Sequence, residues 1–289
     1  MRTLRLMRIM ASRAPEIEPP EMLVLKITQR CNLHCAQCAL NTLDYYDAVP
    51  GSRDAQLTKE QCFEFLAQGH DLGIKRVVIT GGEPAMHPNL RSILGFAKMC
   101  GYSVELATNG ILLDPERLTM LQPEDWVHLS IDKMHQFGSR MGIEEYREAM
   151  LARIWGIRKL KHRPRVSMRI TAREIEGTPY LSGLVDLTKR NPLNVFEPHG
   201  PARFKCPFPW YYIAINPDAT ISPCCMAEDV RFEGPEVLNL LWRLPDMMAW
   251  RYRLLTDDPP NRCRTCPRYA RSPIEWLKKA RVIRRIQRA

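Results

Sequence analysis

Cys31, Cys35 and Cys38 fall within eight residues of the stretch TQRCNLHCAQC, with three residues between the first pair and two between the second. Thiols packed that densely suit metal, because the thiolate is the soft donor that zinc and iron–sulfur clusters take. Both kinds of centre are normally closed by four protein ligands, and this loop supplies three. A zinc loop completed from elsewhere satisfies the spacing. So does a four-iron cube with three irons held by protein and the fourth open to a small molecule. Five further cysteines, Cys206, Cys224, Cys225, Cys263 and Cys266, lie in the pieces CPFPWYYIAINPDATISPCC and CRTC. Zinc or an iron–sulfur cluster would satisfy that set equally, but only the second could move an electron. Cys62, beside Phe63 and close to Phe65, and Cys100 are expected on helices as core packing.

A loop of this kind needs a rigid strand before it. Short β-branched or aliphatic runs occur at Leu23–Ile27, Arg76–Thr80, Ser103–Ala107, Trp126–Ile131, Arg165–Thr171 and Leu193–Phe196. Helical stretches alternate with them at Thr58–His70, Pro88–Met99, Pro115–Leu121, Glu144–Leu160 and Tyr180–Lys189. Thr58 followed by Gln61 is a capping-box pattern. The alternation predicts an α/β fold with a parallel sheet, a partial (β/α)6 TIM-like barrel rather than a closed eight-stranded one. In such a barrel the chemistry sits at the carboxyl ends of the strands, where Cys31 to Cys38 fall.

Near Gly200 the pattern changes. Prolines, an Asn-Pro-Asp turn between Tyr211–Ile215 and Thr220–Ile221, one helix around Glu236–Leu255 and five of the ten cysteines follow. The expected divisions are an arm over 1–20, the barrel over 21–200, a small metal-organised domain over 201–272 and a basic tail over 273–289.

The composition, 45% hydrophobic and 26% charged over 289 residues, is that of a soluble globular chain. No apolar run is long enough to cross a bilayer, so no membrane partner is expected. Arginines interrupt the apolar start MRTLRLMRIM, which argues against a signal peptide and for a reducing cytoplasm. The net charge of +10 is concentrated in part in LKKARVIRRIQRA. That tail reads as a solvated helix resting on Leu277, Val282, Ile283 and Ile286, or as a surface for nucleic acid or another acidic partner. No helix-turn-helix, RNA-recognition or zinc-finger pattern supports a non-catalytic nucleic-acid regulator.

The spacing C-x3-C-x2-C after a first strand, with TGGEP (Thr80 to Pro84) after the second, resembles the radical S-adenosylmethionine (radical SAM) enzymes over most of the chain. The resemblance implies a [4Fe-4S] cluster on Cys31, Cys35 and Cys38, with SAM chelating the open iron. It implies that Gly81, Gly82, Glu83 and Pro84 form the turn that receives the SAM ammonium. Asn109 in ATNG and Ser130 in LSID fall where ribose or methionine contacts are found, and Arg140 falls where an arginine can pair the SAM carboxylate. Gln37 departs from the family, which often places an aromatic residue just before the third cysteine.

The second cysteine set resembles the auxiliary-cluster extension called twitch, a shortened SPASM domain. That resemblance implies a second [4Fe-4S] cluster on Cys206, Cys224, Cys263 and Cys266. Cys225 is left as a buried small residue, an alternative ligand, or a hydrogen donor. The implied chemistry is reductive cleavage of SAM to a 5′-deoxyadenosyl radical, which takes hydrogen from an unactivated carbon. Loss of a proton and an electron then gives an oxidised product, with Asp132, Arg169, Glu197 and His199 as candidate polar groups. Return of hydrogen from Cys225 would give epimerisation instead.

Twitch enzymes acting on aminocyclitols and sugars in antibiotic biosynthesis resemble this chain in size. About twenty residues precede the first strand, few for a domain that grips a leader peptide, so a small polar metabolite is the expected substrate. A ribosomal peptide is the alternative, drawn by the positive charge. An electron donor such as flavodoxin or ferredoxin is implied with either.

Overall fold

The computed structural model describes residues 19–35, 38, 54–131, 136, 138–170, 183–190, 208–224, 232–234, 236–255 and 259–264. The chain divides into two compact units. The larger comprises Leu23–Leu193 with Ile215–Ala219, and the smaller comprises Met1–Met22, Asn194–Ala214 and Thr220–Ala289.

In the larger unit, strands and helices alternate: β1 Met22–Thr28, α1 Lys59–Asp71, β2 Arg76–Gly81, α2 Leu90–Met99, β3 Ser103–Thr108, β4 Trp126–Ser130, α3 Ile143–Arg158, β5 Arg165–Ile170 and β6 Leu187–Arg190. The strands lie in the order β6-β5-β4-β3-β2-β1. Every pair from β2–β3 to β5–β6 is parallel, as in Arg76↔Ser103, Leu106↔Val127, His128↔Ser167 and Arg169↔Lys189. Sequential order and parallel pairing make a singly wound α/β arc, a partial barrel in which, among the described residues, β1 and β6 are not neighbours. The expected fold class is the observed one.

The sheet's two faces follow from period-two alternation. Leu23, Leu25, Ile27, Val77, Ile79, Val104, Leu106, Val127, Leu129, Val166 and Met168 are buried on one face. The helices supply its cover through Phe65 and Leu66 of α1, Ile93 and Leu94 of α2, and Tyr146, Met150 and Ile154 of α3. A Cβ on Gly110 would lie 3.0 Å from the Leu129 side chain and 3.5 Å from that of Met150, which identifies the helix-facing side of β4. His128 and Ser130 therefore face the concave side. Each fully buried Leu or Phe contributes about 1.5–3 kcal/mol, so the outer aliphatic layer dominates the stability of the unit.

Local chemistry sets the ends of these elements. Thr58 and Gln61 form the anticipated capping box, Gln61 N–H donating to Thr58 Oγ1 at 3.1 Å and Thr58 N–H to Gln61 Oε1 at 3.0 Å. Asp125, fully buried before β4, accepts from the Val104 N–H at 2.8 Å, the Gln122 N–H at 2.8 Å and the Lys98 ammonium. One acid thus ties α2, β3 and the loop into β4.

Four expectations change. Residues 187–189, expected at the end of a helix, form strand β6, which takes its place through parallel pairing with β5. The stretch from Pro115 forms only a 3-10 turn, Pro115–Leu118, opened by Asp114 accepting from the Glu116 N–H at 3.0 Å. Pro245 breaks the expected helix over 236–255, because it cannot donate within a helix. Cys100 is the C-terminal cap of α2 and half-buried, whereas Cys62 is a core residue as expected. The expected strand Leu193–Phe196, the basic tail and most of the N-terminal arm lie outside the described residues.

The smaller unit holds the short helix α4 Phe208–Tyr211, strands β7 Tyr212–Ile215 and β8 Ile221–Ser222, and helices α5 Leu238–Trp242, α6 Pro245–Leu255 and α7 Asn261–Arg264. Ile221 and Phe232 exchange backbone hydrogen bonds of 3.0 and 2.8 Å. Leu238, Leu241, Trp242, Met247 and Leu254 are buried.

Candidate metal and cofactor site

The exits of β1, β2 and β3 are sewn together by backbone and side chain. Gly82 N–H donates to the Thr28 carbonyl at 2.7 Å, and Glu83 N–H to the Arg30 carbonyl at 2.8 Å. These bonds bring the second strand's exit against the start of the cysteine loop. Only glycine tolerates the approach: a Cβ on Gly81 would sit 2.2 Å from the Thr28 carbonyl oxygen, and one on Gly82 2.3 Å from that of Arg30. Gly81 also has φ of 141°, a region L side chains rarely adopt.

Glu83 continues the seam. Its side chain is fully buried; Oε1 accepts from Thr108 Oγ1 at 2.6 Å and the Ala85 N–H at 2.9 Å, and Oε2 from the Asn109 N–H at 2.7 Å. The carboxylate therefore holds TGGEP to ATNG. Pro84 opens a 3-10 turn, Pro84–Met86, whose carbonyl ends are covered by Arg117, donating to Ala85 at 2.7 Å and His87 at 2.6 Å. His87 accepts from the Asn89 N–H at Nδ1, which places its proton on Nε2, donated to the Leu57 carbonyl at 2.9 Å. Burial pulls the His87 pKa down, with the nearby Arg117 charge acting the same way against the Leu57 bond.

The thiol loop rests on this seam. Cys31 Sγ accepts from the Leu33 N–H at 3.5 Å and faces Asn109 Nδ2 at 3.9 Å, while that amide also donates to Asn32 Oδ1 at 2.9 Å. Cys35 is buried against Gly138, where a Cβ would lie 2.8 Å from its sulfur. Cys38 N–H donates to the Cys35 carbonyl at 3.1 Å. None of the three forms a disulfide. Burial, chiefly, pushes the Cys31 thiol up to about 11, and the Leu33 hydrogen bond only partly opposes this. A thiolate here needs a metal's positive charge.

Among the described residues, no three Cys, His, Asp or Glu side chains gather as the ligands of a single ion. A cube does not require them to, because each thiolate takes a different corner. Three thiols on one short loop, none in a disulfide and Cys31 receiving N–H···S contacts, fit a cluster.

Ser130 ends β4, half-buried, its carbonyl accepting from Tyr146 Oη at 3.4 Å. Arg169 sits opposite it in register on β5, also half-buried. Arg140 is exposed, with φ of 63°. Cys224 and Cys263 form no disulfide and are buried in the smaller unit, each 7% exposed. Asp132, Glu197, His199, Cys206, Cys225, Cys266 and Gln37 lie outside the described residues.

Sequence reasoning passed over Asn32, Thr108, His87 and Arg117. It also missed a polar chain across the concave face: Arg76 Nη2 donates to Glu105 Oε1 at 2.5 Å, His128 Nε2 to Glu105 Oε2 at 2.9 Å, and His128 Nδ1 meets Ser167 Oγ at 2.5 Å. An ionised carboxylate only accepts, so Nε2 carries a proton. Burial disfavours the Glu105 charge, yet hydrogen bonds from His128 and Arg76 outweigh it and hold the carboxyl down at about 2. The signal was available as one polar residue amid each of SVELA and WVHLS.

Comparison with known proteins agrees with this geometry. The family described as the Radical SAM superfamily matches residues 25–171, just over half of the chain. A PqqA peptide cyclase from Streptomyces rochei is 36% identical over 103 residues, spanning 36% of this chain and 27% of that protein. Solved structures share the fold at low identity. Native anSMEcpe with bound AdoMet and Cp18Cys peptide matches with a TM-score of 0.55 at 14% identity, covering 94% of this chain and 100% of that one. Streptococcus suis SuiB bound to precursor peptide SuiA gives 0.51 at 15%, covering 86% and 70%. BtrN in complex with AdoMet and 2-DOIA gives 0.51 at 14%, covering 84% and 92%.

Proposed function

The chain belongs to the radical SAM superfamily, and from that premise we propose that it is a radical SAM enzyme acting on a peptide. The superfamily implies a [4Fe-4S] cluster and SAM, which when bound supply reductive cleavage of the sulfonium and a carbon radical that removes hydrogen from an unactivated position. Cys31, Cys35 and Cys38 hold the cluster. Gly81, Gly82 and Pro84 shape the turn beside it, with backbone carbonyls for an ammonium group. Glu83 fixes that turn, and Asn109 reaches from the third strand end to the Cys31 sulfur. Ser130, Arg140 and Arg169 are candidate contacts for the rest of SAM or for substrate.

The identity to a peptide cyclase carries the peptide reading. It favours a peptide over the small metabolite expected from the resemblance to twitch enzymes and the short segment before the first strand, and a net charge of +10 suits an acidic peptide. An aminocyclitol or sugar is the second reading, favoured by the fold shared with BtrN over 92% of that chain. In either reading Cys206, Cys224, Cys263 and Cys266 would hold a second cluster, which would supply an electron acceptor for an oxidation. Asp132, Glu197, His199 and Cys225 remain candidate proton or hydrogen carriers.

The test is anaerobic reconstitution with iron and sulfide, then addition of SAM, a reductant and either deuterated acidic peptides or deuterated aminocyclitols. Deuterium should pass into 5′-deoxyadenosine from a peptide. Transfer from the aminocyclitol alone would overturn the peptide reading. Absence of any 5′-deoxyadenosine would overturn the enzyme reading itself.

A further inference from the structure

The chain leaving β4 also reaches the cysteine loop, and it does so through one glycine. Residues 138–141 follow β4 and lead into α3, whose N-terminal cap is Gly142. Gly138 is buried against Cys35: a Cβ there would lie 2.8 Å from the sulfur, 3.1 Å from the Cys35 nitrogen and 3.3 Å from its Cα. The Gly138 carbonyl accepts the His34 N–H at 3.2 Å, so backbone fastens the contact beside the thiol. Gly138 lacks the positive φ of Gly81 and Gly110. Its backbone could carry a side chain; the space beside Cys35 could not.

The same segment holds a strained residue. Arg140 has φ of 63°, a left-handed conformation that few residues other than glycine, asparagine and aspartate adopt. Bonds on both sides keep it there. Ser139 Oγ donates to the Gln136 carbonyl at 2.6 Å and accepts the Met141 N–H at 3.2 Å. The buried side-chain amide of Gln136 donates to the Met141 carbonyl. Strain of this kind persists only where the surrounding structure over-determines it. Gly138 and Arg140 are two residues apart in one pinned turn, so a shift imposed at Cys35 reaches Arg140 through a short, stiff stretch of chain.

We propose that Gly138 is a positioning residue for the cluster: it lets the chain leaving β4 close on Cys35, and so links the direction of that thiolate to the placement of Arg140, the candidate partner of the SAM carboxylate. This rests on the reading that Cys31, Cys35 and Cys38 hold the cluster. A thiol without metal can turn about its single side-chain torsion, whereas a thiolate at one corner of a cube has its direction fixed. Gly138 clears the room that the fixed direction needs. Coupling between two binding events is reciprocal, so the turn that seats Cys35 for the cluster also favours SAM.

The experiment reconstitutes the full chain with limiting iron and sulfide. The iron of this site is what the parent holds beyond a Cys31→Ala, Cys35→Ala, Cys38→Ala variant. Gly138→Ala should melt at the parent's temperature before iron is added, because the thiol can turn away from the new methyl. It should then hold about tenfold less of the site's iron, the scale on which groups supporting a metal ligand act. Ser139→Ala leaves Gly138 against Cys35 but unpins the turn. It should load iron like the parent and bind SAM about tenfold more weakly in equilibrium dialysis. Iron in Gly138→Ala equal to the parent's overturns the role of Gly138 and leaves the cluster reading standing. If Gly138→Ala is destabilised or unfolded before iron is added, Ser139→Ala decides: weakened SAM binding at full iron loading supports the link, and unchanged binding overturns it. A parent holding no more iron than the triple variant overturns the cluster reading and the proposal together.

Discussion

Glu83 and Asn109, twenty-six residues apart, are joined by a 2.7 Å bond from the Asn109 N–H to the Glu83 carboxylate, and the same acid takes the Thr108 hydroxyl at 2.6 Å. The acid of the Gly-Gly-Glu-Pro turn is thus spent largely on protein, holding two strand ends at fixed separation. Its contribution to SAM binding passes through the shape of that seam as well as through its charge. Glu83→Ala would leave three buried donors without an acceptor, each costing about 1–3 kcal/mol. The expected result is a lowered melting temperature together with SAM cleavage reduced on the order of a hundredfold, the scale of a misplaced catalytic frame. Differential scanning fluorimetry beside a 5′-deoxyadenosine assay checks it. Unchanged stability with lost cleavage would instead make Glu83 purely a ligand contact.

Gly82→Ala should be as damaging by a different route. The new methyl would lie 2.3 Å from the Arg30 carbonyl oxygen and 2.4 Å from that of Gln29, both backbone atoms. The cysteine loop must move to admit it. Iron bound per chain after reconstitution should fall. Gly95→Ala is the matched control: it lies within α2 with nothing within 4 Å of its new methyl, and should stabilise by about 0.5–1 kcal/mol. Equal iron content in Gly82→Ala and the parent would contradict the steric argument.

The Glu105–His128 pair predicts an acid limb of the stability curve. The folded carboxyl is held at about 2, below the ordinary glutamate value of about 4.3. A depressed acid contributes stability that is complete above its unfolded pKa and is lost as pH falls towards the folded one. Denaturant midpoints for the parent should therefore drop between about pH 4.5 and 2 more steeply than those of Glu105→Gln. At pH 7 the variant should be the less stable of the two. Comparing the pair isolates Glu105 from other acid-sensitive groups. Parallel curves would mean that the ion pair contributes nothing.

The sequence made the barrel's outer layer legible because period-two aliphatic runs and period-3.6 helices report burial directly, as at Val104–Leu106 and Ile93–Leu94. The cysteine spacing and the paired glycines were legible for the same local reason. What escaped depends on distant partners. Thr108 and Glu83 meet only because β2 and β3 are adjacent. Arg117 has no meaning until its guanidinium reaches the carbonyls of residues 85 and 87. Residues 187–190 form a strand because β5 offers an edge, which no local pattern announces. Arg251, in the stretch expected as a helix, is fully buried, and that burial is a tertiary fact no local pattern announces.

The two helical cysteines should separate by reactivity. Cys62 lies within α1, fully buried, and burial, with a smaller contribution from the Glu60 charge, pushes its thiol up to about 12. Cys100 closes α2 and is half-buried; its thiol is also raised, by burial and then by Asp71, but solvent reaches it. The thiolate is the form that reacts, and access governs how often a reagent meets it. A small alkylating reagent at mildly alkaline pH should therefore mark Cys100 in the folded protein and leave Cys62 untouched until denaturant is added. Peptide mass spectrometry after quenching reads both sites from one sample. Labelling of Cys62 at the rate of Cys100 under native conditions would mean that α1 opens readily, and would contradict the packing of Phe65 and Leu66 beneath it.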